Sequence, residues 1–380
     1  MTKLKRICVV ATVPVALKVF MVEHINKLAE TYSVTVMTNA EAEEVYRFLD
    51  RRIKFIPLPI QRKVSVFSDL VSLIKLFKIF GSEKFDCVLS IMPKSGLLTM
   101  LAGYLARVPR RVHIFTGQVW YTKQGFSRFA LKKLDQLLAF SATHLLADSP
   151  SQRAFLIEEE VVRPEKIEVL GKGSISGVDL ARFKPDPMAR KKIRQELGLN
   201  ESALVFLFMA RLTYAKGIVD LAQAFTHIAM TCPNAHLLIV GPDEDGVEEV
   251  VTELSSTFKG RVHRVGFTNN PEAYMAAADI FSLPSYREGF SLATIQAAGV
   301  GLPAIASRIY GLSDAVQEGM TGLLHKPGAI DEISEAMARL YSDGELRVSL
   351  AEEARKRAHT DFTQSMIVNE MAAYIDRLVL

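Results

Sequence analysis

The 380-residue chain has little cysteine and almost no tryptophan: Cys8, Cys87 and Cys232 lie far apart, and Trp120 is the single indole. Three scattered cysteines match no metal-ligand spacing and make no disulfide framework. They read as buried, reduced thiols of a cytoplasmic protein. No apolar run reaches the ~18–20 residues of a spanning helix, and Lys18 interrupts the best candidate. A signal-peptide pattern is also missing, because residues 7–13 read as a first strand directly after the basic residues 1–6. No nucleic-acid motif and no interleaving of basic with aromatic residues occurs, so a nucleic-acid partner is not expected.

What is present is a globular composition, 49% hydrophobic and 23% charged, on a chain too long for one ordinary core. Two domains are therefore expected. Charge divides unevenly between them. Residues 1–180 hold 26 Lys+Arg against 17 Asp+Glu, a net +9; the other 200 hold 20 against 25, a net −5, and the two sum to the +4 of the chain. A basic first half suggests an anionic membrane surface or a lipid-phosphate substrate.

Apolar runs at residues 6–13, 32–38, 53–60, 85–91, 111–115, 143–148 and 167–170 alternate with helical patterns, including residues 16–31 and 41–51. That alternation predicts a parallel sheet with helices on both faces. Residues 171–177 are glycine-rich and Lys184-Pro185-Asp186-Pro187 follows, a polar, proline-punctuated boundary. A second alternation begins at residues 203–210. The expected division is 1–183, 184–360 and a final helix, 361–380, whose apolar stripe of Met366, Val368, Met371, Tyr374, Ile375 and Leu378 returns to the first domain. Residues 62–80 form an apolar helix carrying Arg62, Lys63, Lys75 and Lys78. It reads either as an interfacial helix on an anionic bilayer or as a core helix whose lysines reach the surface. A second basic helix, 127–140, with Arg128, Lys132 and Lys133, shares that ambiguity.

Chemistry concentrates where strands end, because ligands of open α/β sheets bind at the carboxyl ends of the strands. Arg211 and Lys216, five residues apart with Gly217 opening a helix, suit a diphosphate: Arg binds bidentately and Lys as a point charge. Val240-Gly241 and Val265-Gly266-Phe267 are the next two strand exits. The fourth is Pro284 to Leu292, which places Glu288 and the amides of Gly289, Phe290 and Ser291 at a helix N-terminus, where the dipole favours an anion. Each loop alone is ordinary turn chemistry. Their order at consecutive strand ends of one sheet is what points to a nucleotide sugar. In the first half, the exit loops place Thr12, Lys94, Thr116, Gly117 and Gln118 along a common wall.

With these residues in place, the second half resembles the large retaining glycosyltransferase family 4, whose architecture, GT-B, is two Rossmann-like domains facing across a cleft. The matching elements are Arg211…Lys216-Gly217, Val240-Gly241, Val265-Gly266-Phe267, Ala278-Asp279 and Pro284-Ser285-Tyr286-Arg287-Glu288-Gly289-Phe290. Gly301 to Ala306 and Gly319 to Leu324 complete them. More loosely, residues 115–120, Gly173-Ser174 and Gly177-Val178-Asp179 resemble members that build bacterial surface polysaccharides. The resemblance implies a retaining transfer from a nucleoside-diphosphate sugar, a UDP-sugar, to a glycan acceptor carried on a polyprenyl diphosphate, with no metal and no other cofactor. It implies Arg211 and Lys216 on the diphosphate and Glu288 on the sugar hydroxyls. It also implies Gly241, Gly266, Phe267, Gly289, Phe290, Ser291, Leu292 and Gln296 as donor-binding residues; the basic first half and the helix over 62–80 add the expectation of a cytoplasmic protein peripheral to the inner face of the plasma membrane.

Two departures stand out. The family's second Glu, eight residues after the first and about 12 Å along the helix, is here Gln296. Gln still bonds a ribose diol but carries no charge. The His common on the acceptor side is replaced by Thr116 or Gly117, with His113 nearby in the preceding strand. A nucleotide-sugar 2-epimerase of the same architecture and a non-catalytic nucleotide-sugar-binding homologue are the alternatives.

Overall fold

The computed structural model describes residues 4–62 and 65–380; Lys63, expected in the first basic helix, lies outside the described residues. The chain divides into two compact units, residues 1–176 together with 365–380, and residues 177–364.

The first unit holds a parallel sheet of β1 (Arg6–Val10), β2 (Ser33–Thr38), β3 (Lys54–Pro57), β4 (Cys87–Ile91), β5 (Arg110–Phe115), β6 (His144–Ala147) and β7 (Ile167–Val169). Its order is β3-β2-β1-β4-β5-β6-β7. β1 is buried on both sides, as the central strand of a parallel sheet must be. Ile7 and Val9 join one core with Leu17, Met21 and Ile25, while Cys8 and Val10 join another with Leu76, Phe80 and Leu138. The Gln364–Val379 helix closes the first of these cores with Met371, Tyr374 and Ile375. The hydroxyl of Tyr32 also donates to Asp376 at 2.5 Å. All three cysteines are buried and free, and burial pushes the Cys87 thiol up to about 12.

The second unit holds β8 (Leu204–Met209), β9 (Ala235–Val240), β10 (Val262–Val265), β11 (Ile280–Leu283), β12 (Ala304–Ser307) and β13 (Gly322–His325), in the order β10-β9-β8-β11-β12-β13. Every pairing in both sheets is parallel. The doubly wound α/β class expected from the alternation is the one observed. Asp279, next to the family-like Ala278, turns out to be a structural clamp. Its carboxylate accepts from Arg190 at 2.7 Å, Arg194 at 3.4 Å and the Val205 amide at 2.7 Å. It thereby ties the Pro187–Glu196 helix to the start of β8.

Local expectations needed correction in three places. The helix expected over 41–51 is only Ala42–Val45, because the chain turns at Tyr46 and the Tyr46 hydroxyl bonds the Ile53 carbonyl instead. The helix expected over 62–80 runs Val66–Glu83, so Arg62 precedes it. The expected 127–140 helix is Gly125–Ser141. Among the described residues no helix is long and apolar enough to cross a membrane.

Asp135 on the Gly125–Ser141 helix accepts the indole N–H of Trp120 at 2.7 Å, and its burial pushes the carboxyl up to about 6. A carboxyl whose pKa is raised on folding contributes stability below its unfolded value. That contribution is lost as pH rises through the folded value. Asp135→Asn keeps an oxygen for the indole and removes the charge. We expect it to raise Tm at pH 7 by the equivalent of about 2 kcal/mol and to flatten the stability change between about pH 4 and pH 6, as read by thermal melts across that range. Equal melts of the two proteins at pH 7 would contradict the burial of a charged carboxylate there.

Candidate functional site

Both sheets reverse their strand order beside their first strand, at β1/β4 and at β8/β11. Such a switch point splays two exit loops apart and leaves room for a ligand outside the strand ends. In the second unit the two loops are those after β8, carrying Arg211 and Lys216, and after β11, carrying Glu288.

The structure brings Lys216 and Glu288 together: the ammonium donates to Glu288 Oε1, and the Ser285 hydroxyl donates to the same oxygen at 3.0 Å. The pair is mostly buried, with the side chains 20% and 11% exposed. The two loops touch because residue 217 is glycine. Its φ is +70°, and a Cβ there would lie 2.0 Å from the Pro284 carbonyl oxygen. Tyr286 locks the same contact from the other side. Its amide donates to Ala215 O at 2.9 Å, and its hydroxyl to Asp220 at 2.7 Å. Burial, reinforced by Asp220, pushes that phenol up to about 12, so it stays a donor at neutral pH.

Arg211 is 42% exposed and pairs with Glu244 at 2.5 Å, from the loop after β9. The loops after β8 and β9 are laced by backbone bonds from Leu212 N to Pro242 O at 2.8 Å and from Glu244 N to Leu212 O at 3.1 Å. Gly241 N bonds the Val265 and Gly266 carbonyls at 3.1 and 3.2 Å, which joins the β10 exit to the same edge. Phe267 beyond it is 70% exposed. Arg211, Lys216, Glu288, Gly241, Gly266 and Phe267 therefore stand on consecutive strand ends, linked loop to loop.

The Leu292–Val300 helix begins beside Glu288. Ser291 is its cap, accepting the Thr294 amide at 3.3 Å. The Phe290 ring faces the other way, 5.3 Å from Phe362, and Leu292 packs half-buried on the core. Gln296 is half-buried on the same helix.

Gly311 is the residue that sequence reasoning missed here. At φ +82° it lets the loop after β12 lie on the Glu288-Gly289 turn; a Cβ would meet Gly289 O at 2.3 Å. No local pattern flags it, because the contact joins loops more than twenty residues apart. Gly311→Ala should shift that turn, costing about 1–3 kcal/mol of stability, measured by thermal melt. An unchanged melt would mean that the turn accommodates the methyl group freely. Glu244 and Asp220 were also unmarked, since their partners Arg211 and Tyr286 lie on other loops.

In the first unit, the exit loops of the switch point are pinned inward. Thr12 is 2% exposed and its hydroxyl donates to Ser95 Oγ at 3.0 Å. Lys94 pairs with Asp69 at 2.7 Å and bonds the Gln61 carbonyl. The Thr116 carbonyl accepts from Gln118 and from Gln152, both at 2.8 Å, and Gln118 is itself 2% exposed. Gly117 between them is half-buried. Thr12, Lys94 and Gln118 thus spend their polar groups on the protein, and Gln152, from the helix capped by Ser149, organises the loop after β5. His113 lies inside the sheet, Nδ1 2.9 Å from Ser90 Oγ, and burial pushes it down to about 3, so it is neutral at physiological pH. Met92, at the β4 exit, has φ +76°, a strained value for a side chain with a Cβ. Among the described residues no cluster of three or more His, Cys, Asp or Glu suits a metal ion.

Comparison with known proteins follows this division of the chain. Residues 189–357 match the family described as "Glycosyl transferases group 1", and residues 19–173 match the "Glycosyl transferase 4-like domain". The capsular polysaccharide biosynthesis glycosyltransferase CapM of Staphylococcus aureus is 30% identical over 316 residues, 83% of this chain and 82% of that one. The UDP-Gal:alpha-D-GlcNAc-diphosphoundecaprenol alpha-1,3-galactosyltransferase of Escherichia coli is 30% identical over 344 residues, 87% of this chain and 86% of that one. Among solved structures, Anabaena HepE in complex with UDP and glucose has the same fold, with a TM-score of 0.80 at 21% identity over 98% of this chain and 100% of that one.

Proposed function

The chain belongs to the group 1 glycosyltransferases, and we propose that it transfers a sugar, with retention and without a metal ion, from a UDP-sugar to a glycan carried on a polyprenyl diphosphate, in surface-polysaccharide synthesis. The observation that carries this reading is the pairing of Lys216 with Glu288 across the β8/β11 switch point, with Arg211 on the same β8 exit loop as Lys216. When the bond from the anomeric carbon to the diphosphate breaks, the diphosphate gains negative charge. Two fixed cations, together with the amides at the start of the Leu292–Val300 helix, meet that charge as it develops. Glu288, held by Lys216 and Ser285, is oriented to accept from sugar hydroxyls. Gln296, two turns further along, takes the ribose. The polyprenyl carrier is supported by the names of relatives, such as the Escherichia coli enzyme that acts on a diphosphoundecaprenol-linked sugar.

The test is a screen of nucleoside diphosphates by thermal shift, followed by turnover of the UDP-sugar with a lipid-linked acceptor. UDP should stabilise the protein, EDTA should leave turnover unchanged, and the product should keep the donor's anomeric configuration by NMR. A product of inverted configuration, or conversion of donor alone to an epimer, would overturn the reading.

Gln296→Glu is expected to change kcat/KM for the donor by less than about ten-fold, since an amide already bonds a diol and a neutral bond contributes only about 1 kcal/mol. If instead the native protein is inert and the Glu variant turns over, the chain is a degenerate binding homologue.

A further inference from the structure

The Val66–Glu83 helix is apolar on both sides. Ser72, Leu76 and Phe80 face the core, yet Phe67 is 80% exposed, and Leu70, Val71, Ile74 and Phe77 lie open beside it. The Gly125–Ser141 helix repeats this: Leu138 and Ala139 are buried, while Phe126 is 82% exposed and Phe129, Leu137 and Phe140 also face out. A solvated helix shows a polar outer stripe, and monomers rarely leave a contiguous apolar surface bare. The Pro93–Leu105 helix packs between the two and carries the patch across, with Tyr104 and Leu105 exposed and the Tyr104 ring 5.7 Å from Phe140.

The charge on these three helices has one sign to offer. They carry six cations against three carboxylates, and each carboxylate is engaged within the protein; of the cations, Arg128 and Lys132 pair with Glu159, Lys94 with Asp69, and Lys75 bonds the Pro57 carbonyl, so Lys78 and Lys133 are the two left to meet a ligand. Asp69 holds Lys94, Glu83 holds Arg6 and Lys54, and Asp135 holds the Trp120 indole. Lys78 and Lys133 are exposed among the aromatic residues, Lys133 lying 5.5 Å over the Phe129 ring. Apolar side chains to enter the acyl boundary, with cations beside them to meet lipid phosphates, are what an interfacial surface requires.

We propose that this three-helix face docks the protein on an anionic phospholipid bilayer, with Phe67, Phe126 and Phe129 inserted and Lys78 and Lys133 at the headgroups. This deepens the transferase reading by naming the surface on which its lipid-linked acceptor is met, and it stands on the face itself.

The experiment is co-sedimentation with vesicles in the absence of donor and acceptor, beside turnover of a lipid-linked acceptor in detergent. Native protein should bind mixed phosphatidylglycerol–phosphatidylcholine vesicles at least about ten-fold better than phosphatidylcholine alone, and rising salt should weaken that binding. The triple variant Phe67→Ser, Phe126→Ser, Phe129→Ser should lose vesicle binding while keeping its melting temperature and its turnover in detergent. Lys78→Glu with Lys133→Glu should lose the preference for anionic vesicles. Met188→Ser with Met230→Ser, equally exposed in the second unit, should change nothing. Binding of the triple variant equal to native overturns the proposal. So does native protein that ignores both vesicle types, including one that sediments as a dimer dissociated by the serine substitutions. Vesicle binding without turnover supports the face and removes the transferase reading.

Discussion

Lys216→Ala is expected to lower kcat/KM by about 100- to 1,000-fold, the usual loss when one fixed group facing developing negative charge is removed. Two effects add. The departing diphosphate loses a cation set at the strand end, and Glu288 loses the partner that orients it, keeping only the Ser285 hydroxyl. Because the Lys216–Glu288 pair is mostly buried, the variant should also lose about 1–3 kcal/mol of stability, as a buried charge left half-paired does. Arg211→Ala separates the two terms. Arg211 is more exposed and pairs with Glu244 near the surface, so its removal should cost little stability while still lowering turnover. A Lys216→Ala enzyme that folds and retains most of its turnover would remove the diphosphate role.

Asp279→Ala should be the more damaging change to folding. Asp279 is the shared acceptor for Arg190, Arg194 and the Val205 amide, and the Arg194 side chain is only 8% exposed. Removing the carboxylate leaves the buried Arg194 guanidinium on backbone carbonyls with no counter-ion and orphans the Val205 amide at the start of β8. Breaking a buried pair by deleting one partner costs about 3–5 kcal/mol, which for a domain of this size corresponds to a fall of about 10 °C in Tm. UDP affinity of the folded fraction should be unchanged, since the residue lies at the opposite strand ends from Arg211 and Glu288. A melt within about 2 °C of native would mean that the clamp is dispensable.

The parallel alternation and the four strand-exit loops of the second unit were legible in the chain. Each rests on local chemistry: apolar runs of strand length, turn residues between them, and a cation, glycine or carboxylate at a fixed offset from a strand end. The first unit was less legible. Thr12, Lys94 and Gln118 have the side chains of a binding wall, but the fold turns them on Ser95, Asp69 and Thr116. Gln152, one turn after the Ser149 cap, acts through the separate loop after β5.

By itself, the sequence determined the class of the protein and the residue types at each strand end, because strands, turns and helix starts are written within a few residues of one another. Tertiary structure alone decided which of those residues meet. The β8/β11 order puts Lys216 against Glu288 across seventy-two residues, Gly217 and Gly311 permit the close contacts that hold them there, and three helices stack so that apolar stripes, ambiguous one at a time, join into one exposed face. Such contacts arise from packing between segments distant along the chain, and local pattern carries no record of them.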